Sequence, residues 1–233
     1  MLPHTIRTMI GIVTLSALMT AQTPTKGPLV RYTATTDNVK GAGDAVRIEL
    51  LGWSTDAERD QLLSAWTMTG ASAPGARGGG ARGGGGGRGG GGGGGGGRGG
   101  APAAAAAPET PESSLLAALQ AAMTKGYLWT SESTGYSVRY AFRLPQPDGG
   151  ERIILATERR LGAWNDLWKP AGAASPSNYE FSIIELRLNS KGEGEGKASL
   201  TGKVILDGDA KTLALDGYSA LPIVFKGVKK VPS

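Results

Sequence analysis

Residues 181–206 read FSIIELRLNSKGEGEGKASLTGKVIL, and this stretch decides the fold class. Its flanks alternate with a period of two, the pattern of strands that bury one face. In the first arm Ile184, Leu186 and Leu188 fall on one side, with Glu185 and Arg187 on the other. In the second arm Ala198, Leu200, Gly202, Val204 and Leu206 oppose Ser199, Thr201 and Lys203. Asn189-Ser190-Lys191-Gly192 lies between them, and Asn and Gly suit left-handed turn backbone. The prediction is a β-hairpin in an antiparallel sheet whose polar side is wet or packed under a second layer.

Outward from this hairpin the same signal repeats. Asp207-Gly208-Asp209 turns into a strand over 211–215, and a last strand runs over 221–228. Upstream, Tyr136, Val138, Tyr140, Phe142 and Leu144 alternate against Ser137, Arg139, Ala141 and Arg143. Pro147-Asp148-Gly149-Gly150 then turns the chain into a strand over 152–157, a second hairpin. Residues 127–130 form a short strand, and 161–177 a long loop carrying Trp164 and Trp168. Near the start, 29–36 and 45–53 alternate as two more strands.

Two helices interrupt this series. Thr55 with Glu58 fits a capping box ahead of the stripe Leu62, Leu63 and Trp66. Thr110 before Pro111 reads as an N-cap with proline at the first helical position, followed by Leu115, Leu116, Leu119 and Met123. Strands do not alternate with helices, which argues against a parallel doubly wound sheet. The expected fold is β-rich, with about nine mostly antiparallel strands as a barrel or sandwich and a helical pair inserted after the second strand. Roughly 170 ordered residues suffice for a core of this kind.

Residues 70–110 are of another composition: four Arg-Gly-Gly units among glycine runs, then an Ala/Pro tract. Without aromatics or apolar bulk, such a stretch cannot offset its ordering entropy and is expected to be a disordered linker. The N-terminus reads MLPHTIRTMIGIVTLSALMTAQ. A basic start, a short apolar run and a small-residue exit describe a secretory signal peptide over 1–21. The run is short for a membrane span, which takes about 20 residues, so no span is expected once it is removed. The expected organisation is therefore a signal peptide over 1–21, the first part of the domain over 22–69, the linker over 70–110 and the remainder over 111–233.

Composition removes several chemistries. The chain has no Cys, and its only His, His4, lies in the signal segment. Imidazole- or thiol-based catalysis and His/Cys metal sites are therefore not expected in the mature chain. Setting aside Arg7 and the tract arginines Arg77, Arg82, Arg88 and Arg98 leaves 20 of the 25 bases against 20 acids. The folded part is formally neutral, so no specific nucleic-acid face is expected. The four tract arginines remain candidates for weak polyanion contact.

Other candidates are few. Gly192-Glu193-Gly194-Glu195-Gly196-Lys197 departs from a phosphate loop at its first glycine and at the residue after Lys197, and reads as a polar edge or hairpin extension. Asp207 and Asp209 supply too few oxygens for a Ca²⁺ site. Glu180, Glu185, Glu193 and Glu195 are carboxylates of the kind glycoside cleavage needs in pairs, although Glu185 beside Arg187 is more simply an ion-pair position. Trp164, Trp168 and Tyr179 flank one loop and are candidates for stacking on a ligand. No catalytic constellation, metal or cofactor is assigned.

Several runs resemble a group of small secreted bacterial proteins of acidobacterial type. They are WSTDAERDQLL at 53–63, Gly126-Tyr127, RIILATERR at 152–160 and FSIIELRLNSKGEGEGK at 181–197. The group is uncharacterised; the resemblance implies secretion and one domain, and carries over no site residue. The expected function is a non-enzymatic secreted or periplasmic binding or structural protein for a small ligand or a cell-envelope component. The alternatives are a carboxylate-dependent hydrolase of envelope polysaccharide and weak polyanion binding through the Arg-Gly-Gly tract.

Overall fold

The central hairpin forms, and its pairing continues on both sides until the sheet closes on itself. A computed structural model describes residues 28–40, 42, 45–67, 110–132, 134–163, 168–170 and 178–232. Residues 1–21, where a signal peptide is expected, residues 70–109 and Trp164 lie outside the described residues.

The elements in chain order are β1 (Val30–Thr36), β2 (Val39–Lys40), β3 (Ala45–Leu50), α1 (Asp56–Thr67), α2 (Pro111–Ala121), β4 (Gly126–Trp129) and β5 (Gly135–Pro145). There follow β6 (Glu151–Thr157), β7 (Lys169–Pro170), β8 (Ser182–Leu188), β9 (Glu193–Ala198), β10 (Val204–Asp207), β11 (Thr212–Leu215), a 3₁₀ turn at Tyr218–Ala220 and β12 (Phe225–Val231). Eight strands close an antiparallel barrel in the order β1-β12-β9-β8-β6-β5-β4-β3, while β10-β11 and β2-β7 are separate two-stranded pairs. The barrel alternative of the sequence reading is therefore the fold.

Both helix starts are as the sequence reads. Thr55 N donates to Glu58 Oε2 at 2.7 Å and Glu58 N to Thr55 Oγ1 at 3.3 Å. Thr110 caps α2 reciprocally with Ser113, through Ser113 N to Thr110 Oγ1 at 3.2 Å and Thr110 N to Ser113 Oγ at 2.8 Å.

The apolar residues divide into two layers. Inside the barrel, Tyr32, Ile48, Leu128, Val138, Leu155, Ile184, Leu186 and Phe225 interdigitate. Outside it, α1, α2, β10 and β11 cover part of the wall, packing Leu62, Leu115, Leu119, Leu213 and Leu215 with Tyr140, Phe142, Ile154 and Ile183. The second face of the central hairpin is thus buried rather than wet: Ile183 and Glu185 both have no exposed surface.

Three expectations on the strands need correction. The continuous alternation 136–144 crosses from one layer to the other. Tyr136 and Val138 face the interior, but the β5–β6 register shifts between Val138 and Tyr140. The extra residue, Arg139, reverses the parity. Tyr140 and Phe142 then point outward, stacked at 5.9 Å, and Ala141 takes the interior position. Arg139 leaves the ladder to bond Glu158 and the Ala122 carbonyl just beyond α2.

Second, the run 198–206 is not one strand. The barrel strand ends at Ala198, where Ser199 N donates to Ile183 O and Ser199 Oγ accepts from Ile183 N. The chain turns through Thr201, whose N–H bonds Ala198 O, and 204–207 pairs with β11 outside the barrel. The last strand likewise begins at Phe225 rather than Leu221, which ends the 3₁₀ turn.

Third, GEGEGK extends the hairpin, as one of the two readings has it, but is not an edge. Its residues from Glu193 on belong to β9, paired to β8 on one side and β12 on the other. Its glycines stand where the neighbouring strands come closest. A Cβ on Gly194 would meet the Arg187 carbonyl oxygen, and one on Gly196 would collide with Leu186 Cδ2 and lie 3.1 Å from Phe225.

Candidate functional site

Two polar constellations lie on the barrel's outer wall, one buried and one open. The buried one follows from alternation on β6, β8 and β9. Register places Glu185 opposite Lys197, Arg187 opposite Glu195, and Arg152 opposite Arg187. The result is a checkerboard of charge, roofed by β11 and the Tyr218 turn. Glu185 Oε1 accepts from Arg152 Nε at 2.9 Å and from Arg187 Nε and Nη2 at 2.9 and 2.8 Å. Its Oε2 accepts from Arg152 Nη2 at 3.3 Å and Leu215 N at 3.2 Å. Arg152 reaches on to Asp207 at 2.7 Å. The Tyr218 ring lies between the Arg187 guanidinium at 3.7 Å and the Lys197 ammonium at 4.5 Å, with Lys197 Nζ donating to Tyr218 O at 2.7 Å. Desolvation raises the Tyr218 phenol pKa.

Every lone-pair direction of Glu185 is thus used, which suits a structural anchor and leaves no oxygen to take or give a substrate proton. Glu193 bridges Lys229 at 3.2 Å, Glu195 lies 3.7 Å from Lys197, and Glu180 is exposed. Asp207 serves Arg152 and the Ala210 N–H, and no cluster among the described residues has the composition of a metal site.

Two carboxyls on this wall have pKa values held below their ordinary values. Asp207 is lowered first by the Arg152 hydrogen bond and then by backbone N–H groups, and Glu58 first by its 2.6 Å bond to Lys125 and then by the Thr55 N–H. Depressed carboxyls add stability that is fully present above their unfolded values, near 4, and lost as pH falls through the lower folded values. The urea midpoint should therefore hold between pH 7 and about 5 and fall below about pH 4. Lys125→Gln should make that acid slope shallower. An unchanged slope in urea titrations from pH 7 to 2 would remove Glu58 from the account.

The open constellation lies on β1, β3 and β4, where none of the covering elements reaches. Outward residues stand in registered rows. Arg31 pairs Glu49, and Glu49 pairs Tyr127; Thr33 pairs Arg47, and Arg47 pairs Trp129. Glu49 organises them: its Oε1 lies 3.3 Å from both Arg31 Nε and Arg47 Nε, and its Oε2 accepts from Trp129 Nε1 at 3.3 Å. The Trp129 ring packs on Gly135, the residue directly opposite, where a Cβ would stand 2.9 Å from it. Arg47 lies over that ring at 5.5 Å, and Tyr127 tilts beside it at 5.9 Å. One row toward the barrel's lower end, Leu29 N bonds Leu50 O and Leu51 N bonds Lys125 O. Leu29, Leu51 and Tyr127 are 47 %, 49 % and 37 % exposed, three of the five large exposed hydrophobics among the described residues. Chemically this is a fixed aromatic and guanidinium surface with an aliphatic margin.

Of the sequence-predicted stacking residues, Trp168 and Tyr179 do not come together. Trp168 is buried against Phe225 at 5.7 Å inside the barrel cluster. Tyr179 packs outside, stacked on Phe181 at 5.1 Å and edge-on to Trp66 at 6.3 Å, with its hydroxyl accepting from Val204 N. Trp164 and the tract arginines Arg77, Arg82, Arg88 and Arg98 lie outside the described residues. The open face escaped sequence reading because its members come from three separated segments. Alternation alone marks Arg31, Arg47 and Glu49 as outward, but only register sets them against Tyr127 and Trp129. No family model matches the chain, and neither the curated proteins nor the solved structures include a match.

Proposed function

We propose that this chain is a non-enzymatic secreted or periplasmic protein that docks onto a component of the cell envelope through the outer face of β1, β3 and β4. The observation that carries the reading is the contrast between the walls. The rest of the apolar outer wall is roofed by helices and the β10–β11 hairpin, whereas Leu29, Leu51 and Tyr127 stay exposed beside two arginines. Arginine and aromatic side chains are the types that dominate docking surfaces. A small ligand in the bore finds less support, since the interior is occupied by buried side chains from every strand of the barrel. A carboxylate hydrolase finds less support too, because the buried Glu185 is saturated by its own arginines and backbone.

The test is co-sedimentation of the purified chain with isolated envelope fractions. Arg47→Glu combined with Tyr127→Ser should lower the bound fraction at least tenfold while leaving thermal unfolding near that of the parent. Equal sedimentation of parent and variant would overturn the assignment of this face.

A further inference from the structure

The order of side chains along the open face identifies its occupant, and we infer that this face seats on an anionic lipid bilayer; the inference rests on the docking reading above. A protein interface places its apolar groups at the centre and polar groups around them. Here the aliphatic residues are at one margin. Leu29 and Leu51 form the outermost row, Arg31 and Tyr127 stand one row above, and Arg47 and Trp129 one row further. Successive rows are about 7 Å apart along the strands. Aliphatic tip, then tyrosine, tryptophan and arginine, is the depth order of an interfacial membrane surface, where the aromatic belt and basic groups lie at the headgroups.

The arginines carry the charge argument. Arg31 and Arg47 each approach Glu49 through Nε at 3.3 Å, and both side chains stay about half exposed. Guanidinium ends of this kind bind phosphate oxygens in pairs. Two guanidinium groups against the single Glu49 carboxylate leave this face with a local cationic surplus beside its apolar row.

The absence of cysteine makes a site-specific test direct. Leu51→Cys and, as a remote control in the β10–β11 turn, Gly208→Cys would each be labelled in the full chain with an environment-sensitive fluorophore. Vesicles of phosphatidylcholine alone and of phosphatidylcholine with phosphatidylglycerol are the probes. The expected result is a blue-shifted, brighter label at position 51 with the anionic vesicles only, and no change at 208. Each arginine near an anionic surface contributes about 1 kcal/mol, or about fivefold in affinity. Arg31→Gln with Arg47→Gln should therefore raise the lipid concentration at half-response by more than tenfold. An equal response at both labels, or no arginine dependence, would overturn the inference. Binding to envelope fractions without binding to vesicles would also overturn it, pointing to a protein or glycan while leaving the docking face intact. Loss of both would sink the docking reading itself.

Discussion

Replacing Glu185 with alanine should cost about 3–5 kcal/mol of unfolding free energy, the range for breaking a buried ion pair from one side. Glu185 has no exposed surface, and its side chain accepts from Arg152, Arg187 and the Leu215 N–H. Truncation removes one of the two carboxylates that pair with Arg152, whose side chain is only 11 % exposed, and leaves it Asp207 alone. It also strips a partner from a backbone N–H in β11, the strand that roofs this wall. The pair itself need not be net stabilising, since the desolvation of both charges opposes it. Its removal is severe because the remaining groups stay buried. Urea denaturation at pH 7 measures the loss, and a cost below about 1 kcal/mol, an ordinary surface value, would refute the anchoring role. Glu185→Gln should cost less, because the amide oxygen can still accept from one arginine.

Gly194→Ala is expected to cost about 3 kcal/mol, at the upper end for overpacking. The added methyl would collide with the Arg187 carbonyl, a backbone atom of the paired strand that cannot rotate away. Strands β8 and β9 would have to separate where Leu188 pairs Gly194, next to the Phe225–Gly196 pairing with β12. In a closed barrel such a separation cannot be absorbed at a free edge. Gly208→Ala is the matched control: nothing lies within 4 Å of its Cβ position, so its effect should fall within about 0.5 kcal/mol. Equal midpoints for the two variants in the same denaturation series would disprove the close-approach account of GEGEGK.

These two positions also mark the line between local and non-local information. Local windows carried the strands, because a half-buried strand must alternate. They carried both helix starts, because unpaired N–H groups need side-chain caps, and the turn at Asn189–Gly192 for the same backbone reasons. Composition carried the absence of cysteine and of any histidine other than His4. They misread 136–144 because the bulge at Arg139 leaves the letters alternating while the side chains change layers. They joined 198–206 because nothing local says that the ladder partner of Ala198 ends there.

Of the candidate site, alternation made Arg31, Arg47 and Glu49 legible as outward residues, and left the partners of Tyr127 and Trp129 unreadable. The sequence by itself determined a β-rich chain with two capped helices, a neutral folded part, no cysteine and a single histidine, His4. Only the tertiary structure decided that the sheet closes, that Glu185 is roofed while Glu49 is open, and that Leu29, Arg31, Arg47, Tyr127 and Trp129 share one face. Those outcomes depend on register between segments as far apart as Arg31 and Val231, where one step of slip moves every side chain to the opposite face. That register is set by the packing of the whole core, an energy that no single stretch of the chain contains.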